Sequence, residues 1–317
     1  MIGQYLITFR EVLEAALITA IILAYLTRTG REHLSRYVWY GVYLSVGASI
    51  VLGIVIWTVY GTLSKPSKVL FEGVAALIAV GVLTTMIYWM AVKGKHIKKE
   101  IENRVGVALN RGVMIAMISL AFLVVFREGL ETVLFLTPFL VTDAAATLAG
   151  AVLGVISGFV LAFAIFKIGM KIDLQRFFYF TSILLILLAA GLLGYAVHEL
   201  TEYTVVTGGD PGWLGQSAYV LDISKDSVFH HKGAVGSVFA VMFGYTVSAE
   251  WIRVIAHVLY LVIVMPLVIM VYRRPDLIEK LSQTLRRLFR IFSRQKNVDD
   301  SDTKRSVQQK RRSKQSV

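Results

Sequence analysis

The 317-residue chain has no cysteine, five prolines and little charge, with 17% Asp, Glu, Lys and Arg against about 25% in ordinary soluble domains. Without cysteine there are no disulfides, thiolate metal ligands or thiol nucleophiles, so any metal must bind through oxygen or nitrogen. So little charge, alongside 56% apolar residues, argues against a soluble core. In its place stand seven apolar runs, near 4–26, 37–60, 69–92, 113–138, 146–168, 177–198 and 252–272. Each approaches the ~20 residues that cross a bilayer as an α-helix. None alternates as barrel strands do, and backbone groups in lipid must pair within their own segment. The expected class is an all-α polytopic membrane protein with seven transmembrane helices. The first run lacks a basic leader and contains Arg10, Glu11 and Glu14, so it is expected to be a retained helix and not a cleaved signal.

Lysine and arginine are distributed unevenly. With the N-terminus outside, the inner loops and tail carry twenty-six of the 33, and the outer loops carry only Lys65, Lys68, Lys225 and Lys232. The positive-inside rule then predicts N-out and C-in. The +12 net charge is thus explained by topology and does not call for nucleic acid. From Arg273 the tail holds fourteen basic and five acidic residues, and Leu277, Ile278, Leu281, Leu285, Leu288, Phe289 and Phe292 recur at helical spacing. A short amphipathic helix held to anionic lipids of the inner leaflet is expected there, followed by a disordered end.

Two of the apolar runs carry charge in one repeated pattern. Phe9-Arg10-Glu11-Val12-Leu13-Glu14 returns 117 residues later as Phe126-Arg127-Glu128-Gly129-Leu130-Glu131. The copies fall on the first and fourth runs, so an odd number of crossings separates them and the two halves must run in opposite directions. This predicts a 3+3 inverted repeat plus a seventh helix. The predicted divisions are 1–110 for the first repeat and its inner loop, 111–200 for the second, 201–250 for a long outer loop, 251–274 for the seventh helix and 275–317 for the tail. Each mid-bilayer charge costs about 2.5–3.5 kcal/mol to insert, so neither motif helix can turn this face to lipid. The i, i+3 spacing puts Glu11 with Glu14, and Glu128 with Glu131, on one helical face each. Four carboxylates thereby converge with two guanidinium groups, Arg10 and Arg127. Two arginines neutralise two carboxylates, and the remaining negative charge calls for protons or a cation. Oxygen donors suit a hard ion of the Fe(III), Mg, Ca or Mn class, with Fe(II) also admissible.

These two R-E-x-x-E motifs, on the first and fourth of seven helices, resemble the oxidase-dependent iron permease family, which includes the fungal high-affinity iron permease and bacterial iron-uptake permeases. Phe71-Glu72-Gly73, Ala189-Ala190-Gly191-Leu192, His198-Glu199-Leu200 and Leu259-Tyr260-Leu261 extend the resemblance over about residues 3–274. The resemblance implies a plasma-membrane permease, not an enzyme. Its substrate would be iron as Fe3+ or Fe2+, bound by Glu11, Glu14, Glu128 and Glu131, with no organic cofactor and with a separate oxidase or extracellular iron-delivery protein as partner. A related lead- or manganese-type permease is the alternative within transport. A membrane di-iron carboxylate enzyme is the alternative outside it, although such sites use Glu-x-x-His pairs and both motifs here end in Glu.

Under the N-out topology, Glu72 and the group His198, Glu199 and Glu202 lie near the outer face, where they are candidates for a receiving site. Val235–Val247 is too short an apolar run to span, and suggests a helix on or dipping into the outer leaflet. His230-His231 is expected to be a solvated loop pair, since adjacent residues point to different faces.

Overall fold

The computed structural model describes residues 1–93, 97–109, 113–166, 174–224, 227–230 and 235–273. Its contacts divide into two units, Met1–Val268 and Ile269–Val317. Of the second unit only residues 269–273 are described, and the expected tail helix and disordered end lie outside the described residues.

Nine α-helices are described: α1 (Ile2–Arg28), α2 (Ser35–Thr62), α3 (Lys65–Lys93), α4 (Ile97–Leu109), α5 (Val113–Thr142), α6 (Ala144–Phe166), α7 (Leu174–Val206), α8 (Gly236–Phe243) and α9 (Trp251–Arg273). Five segments are long and apolar enough to cross a membrane: Glu32–Thr62, Lys65–Val92, Ala144–Phe166, Arg176–Val206 and Trp251–Arg273. The α1 and α5 helices, of 27 and 30 residues, match them in length and differ by carrying the charged motifs. Large apolar side chains are exposed along α2, α6 and α9, among them Tyr43, Ile50, Val160 and Val262. Such apolar surface requires lipid in place of water. The protein is an all-α membrane protein.

Local sequence sets where the helices stop. The first helix ends where Gly30 turns to φ +70 and the seventh where Gly208 turns to φ +86. In each case the glycine N–H bonds three residues back and the next N–H five residues back, Arg31 to Leu26 and Gly209 to Thr204, which is the Schellman closure that glycine permits. The helical stretch 177–198 expected from hydropathy therefore runs on to Val206, because Glu-Leu-Thr-Glu-Tyr-Thr-Val-Val contains no breaker before Gly208. Asp143 separates α5 from α6, its Oδ1 accepting the Ala146 N–H at 3.0 Å as an N-cap does.

Small residues set how the helices pack. The buried positions of α6 are Thr147, Gly150, Gly154, Gly158 and Ala162, a four-residue ladder that lets backbones approach closely. Against it lies α1 in parallel, since Gly150 faces Gln4 and Tyr5, Gly154 faces Tyr5, Thr8 and Phe9, and Gly158 faces Phe9 and Val12. The second helix does the same for α5: Gly41 meets Ile118, Ala121 and Phe122, Ser49 meets Gly129, and Gly53 meets Val133. Each motif helix is thus seated on the small-residue face of another helix. The third and seventh helices pack antiparallel, with Gly73 against Ala196 and Leu200, and α1 packs on α5. Gly81, at mid-span in α3, faces open space and takes no part in this close packing.

The loop expected between the third and fourth runs holds α4, whose Ile101, Val105 and Ala108 join Ile22, Leu26, Val38 and Met117 in one apolar cluster. Arg28 ties α1 to it through Glu102. The expected outer loop is structured too: β1 (Ser217–Val220) pairs antiparallel with β2 (Ser248–Glu250), and α8 lies between them in sequence. His230 is buried, in contrast to the solvated pair expected; His231 lies outside the described residues. Tyr260 of α9 bonds Thr84 of α3 at 2.7 Å.

A Cβ at Gly154 would lie 2.8 Å from Phe9 N and Tyr5 O. Gly154→Ala is expected to force α1 off α6 and cost about 1–3 kcal/mol. Gly81→Ala, with open space around it, should leave stability equal or slightly improved. Thermal unfolding in detergent, read for both variants, checks the pair; equal midpoints would remove the ladder from the account.

Candidate metal centre

Arg10, Glu11 and Glu14 sit in the first half of α1, and Arg127, Glu128 and Glu131 at the middle of α5. The α1–α5 packing brings the two sets together. Glu11, Glu128 and Glu131 each offer a carboxylate oxygen within 4.8 Å of the other two. All three are buried, at 1%, 4% and 6% exposure. Glu11 Oε2, Glu128 Oε2 and Glu131 Oε2 have no hydrogen-bond partner among the described residues. Unpaired buried oxygens are costly unless something else coordinates them.

The two arginines are placed differently. Arg10 is fully buried, its Nη1 donating to Glu11 Oε1 at 2.8 Å and its Nη2 lying 2.6 Å from Glu14 Oε1. Glu14 is thus held by its own motif's arginine and lies outside the close triplet. Arg127 donates from Nε to Glu131 Oε1 at 2.8 Å, and its side chain is 46% exposed. Two α3 residues, one turn apart, meet these arginines: Met86 Sδ lies 3.1 Å from Arg10 Nη1, and the Trp89 ring lies under Arg127, 5.0 Å from centroid to Cζ. Such a stack favours the charged guanidinium. Sequence reasoning passed over Met86 and Trp89 because an apolar residue in an apolar run carries no signal of what it faces.

At the other end of α3 and α7 lies a second group. His198, Glu199 and Glu202 offer ligand atoms within 4.8 Å of one another. Glu72 stands outside this triplet, its Oε1 accepting from the Tyr60 hydroxyl at 2.5 Å and its Oε2 from the Tyr195 hydroxyl. Glu250, whose Oε1 lies 2.9 Å from His198 Nδ1, is 52 residues away in the chain; it joins through the pairing of β2 with β1, which no local pattern signals. Glu72 and Met86 are fourteen residues apart on α3, so the two groups lie about 21 Å apart along that helix.

A relative from Archaeoglobus fulgidus, described as an uncharacterized protein, is 42% identical over 274 residues, covering 86% of this chain and 96% of that one. The ferrous iron permease EfeU of Yersinia pestis is 34% identical over 83% of this chain and 91% of its own length. That of Escherichia coli is 34% identical over 83% and 93%. No solved structure matches. The model of the iron permease FTR1 family matches residues 1–273, so the chain belongs to the iron permease FTR1 family, a family of transporters and not of enzymes.

Proposed function

We propose that the chain takes iron up across the plasma membrane as Fe2+, through a buried site of Glu11, Glu14, Glu128 and Glu131 balanced by Arg10 and Arg127. The observation that carries this reading is the carboxylate triplet drawn from two helices, with three buried oxygens that have no hydrogen-bond donor among the described residues. Four carboxylates against two guanidinium groups leave a double negative charge, which a divalent ion cancels. The names of the curated relatives point to the same valence. Iron presented as Fe3+ must then gain one electron from a separate reductant before uptake, or arrive as Fe2+ on an extracellular delivery protein; the oxidase that the family resemblance implies acts in the opposite direction and fits only uptake as Fe3+.

The proposed architecture has seven spans, α1, α2, α3, α5, α6, α7 and α9, in a 3+3 inverted repeat plus one. The pattern of helix contacts supports it. Exchanging α1 with α5, α2 with α6 and α3 with α7 turns the α1–α6 contact into α5–α2 and leaves α3–α7 and α1–α5 unchanged, and all four contacts are present. N-out and C-in orientation follows from the lysine and arginine distribution, with the basic tail on anionic lipids of the inner leaflet.

In transport, the empty site is held by its own arginines: Arg10 clamps Glu11 and Glu14, and Arg127 holds Glu131. An incoming cation takes oxygens from these pairs, and the antiparallel motif helices let the site face either side when one half moves against the other.

Two experiments test this proposal. Glu11→Gln, Glu14→Gln, Glu128→Gln and Glu131→Gln keep the shape and remove the charge; each should lower iron uptake into proteoliposomes by more than about tenfold while membrane insertion is unchanged. Parent-like uptake in two or more of the four would rule out the four-carboxylate site. For topology, single cysteines at Ser64, Ser217 and Ser306 of this cysteine-free chain should react with an impermeant thiol reagent in intact cells at the first two positions and not at the third. The opposite labelling pattern would invert the orientation.

A further inference from the structure

We infer that His198, Glu199 and Glu202 form a second metal site, a receiving site for a divalent transition-metal ion at the end of α7, and that Glu250 positions the imidazole for it. His198 and Glu202 share a helical face at i, i+4, and Glu199 completes a set of ligand atoms within 4.8 Å of one another. Around one ion, with bonds near 2.0–2.2 Å, ligand atoms sit about 3–4 Å apart, so small side-chain movements close the set.

The tautomer of His198 is fixed by its partner. A carboxylate only accepts, so Nδ1 is the donor toward Glu250 Oε1, 2.9 Å away, and Nε2 is the nitrogen left to meet a metal. Metal-binding histidines are held in just this way by a carboxylate on the other nitrogen. Glu250 is itself held by backbone pairing: it sits opposite Ser217 in the two-stranded sheet, and the next N–H, of Trp251, donates to Gln216 O at 3.0 Å.

Charge at the site is left open for a cation. Glu199 is 8% exposed, with Tyr195 as a hydrogen-bond partner, and the Arg253 guanidinium acts on both Glu199 and Glu250. One guanidinium thus faces three carboxylates, Glu199, Glu202 and Glu250, and Glu250 Oε2 is buried without a hydrogen-bond partner among the described residues. Glu72 is a neighbour and not a ligand, because Tyr60 and Tyr195 occupy both of its oxygens. One imidazole with two carboxylates favours Fe2+ over Ca2+ and Mg2+, which prefer oxygen alone. This site can therefore discriminate among cations before they reach the all-oxygen cluster. Its place in uptake rests on the proposed function; the binding itself does not.

The donor sets also make the two sites separable by spectroscopy. With Mn2+ as probe on the full-length protein in detergent, pulsed electron paramagnetic resonance should show imidazole nitrogen coupled to the bound ion. The coupling should persist in Glu128→Gln, even if that substitution empties the buried site, and vanish in His198→Gln. Glu250→Ala should weaken the nitrogen-coupled site by about tenfold or more with parent-like gel filtration. Glu202→Gln, which spares the imidazole, should weaken the same site. Absence of nitrogen coupling in the parent, its persistence in His198→Gln, or parent affinity in both Glu250→Ala and Glu202→Gln would overturn the inference.

Discussion

The burial of Arg10 between Glu11 and Glu14 is the constraint on which the rest of the fold depends. In water such a pair is worth little; inside an apolar span the same groups are costly unless every charge is answered. One helix cannot meet that condition alone. The first helix needs the fifth for the facing carboxylates and the third for Met86 and Trp89, which meet the two guanidinium groups. It also needs the sixth, whose Gly150, Gly154 and Gly158 let it approach closely. The small-residue faces of α2 and α6 hold the motif helices near enough for their charges to meet.

The same constraint separates the two proposed sites. In the proposed account the buried centre offers carboxylate oxygens and guanidinium groups, so it acts on charge and suits a cation in transit. At the end of α7 a histidine enters the ligand set, held by a glutamate that reaches it only through the β1–β2 pairing. As inferred above, the β1–β2 pairing that lines up this imidazole serves discrimination among cations. About 21 Å along α3 divides the two proposed sites.

What was legible in the sequence was whatever local rules control. The repeated F-R-E-x-L-E pattern revealed the site helices because charge in an apolar run has few explanations, and hydropathy marked the long helices. The extension of α7 to Val206 was missed because Glu199 and Glu202 lower the local hydropathy without breaking a helix. The fourth helix was hidden in a charged loop, its apolar face of Ile101, Val105 and Ala108 too short to stand out. Gly150, Gly154 and Gly158 were in plain view, but a ladder does not name its partner. The unequal arginines, one fully buried and one half exposed, belong to tertiary packing, since the two motifs are nearly identical in sequence. Glu250 depended on a strand pairing across the whole outer loop.

Arg10 and Arg127 are proposed to balance the charge of a cation site and not merely to pack. Iron bound per folded molecule, measured in detergent without oxygen as a function of pH for parent, Arg10→Lys and Arg127→Gln, tests it most directly. Lysine keeps the charge of Arg10 but not the planar fork that reaches Glu11 and Glu14 together, so Arg10→Lys should bind iron more weakly at equal folded mass. Arg127→Gln leaves more negative charge uncompensated, so protons should compete harder and its binding should fall more steeply with acid. Binding curves identical to the parent, with only the folded yield reduced, would contradict the account and leave the arginines as packing groups alone.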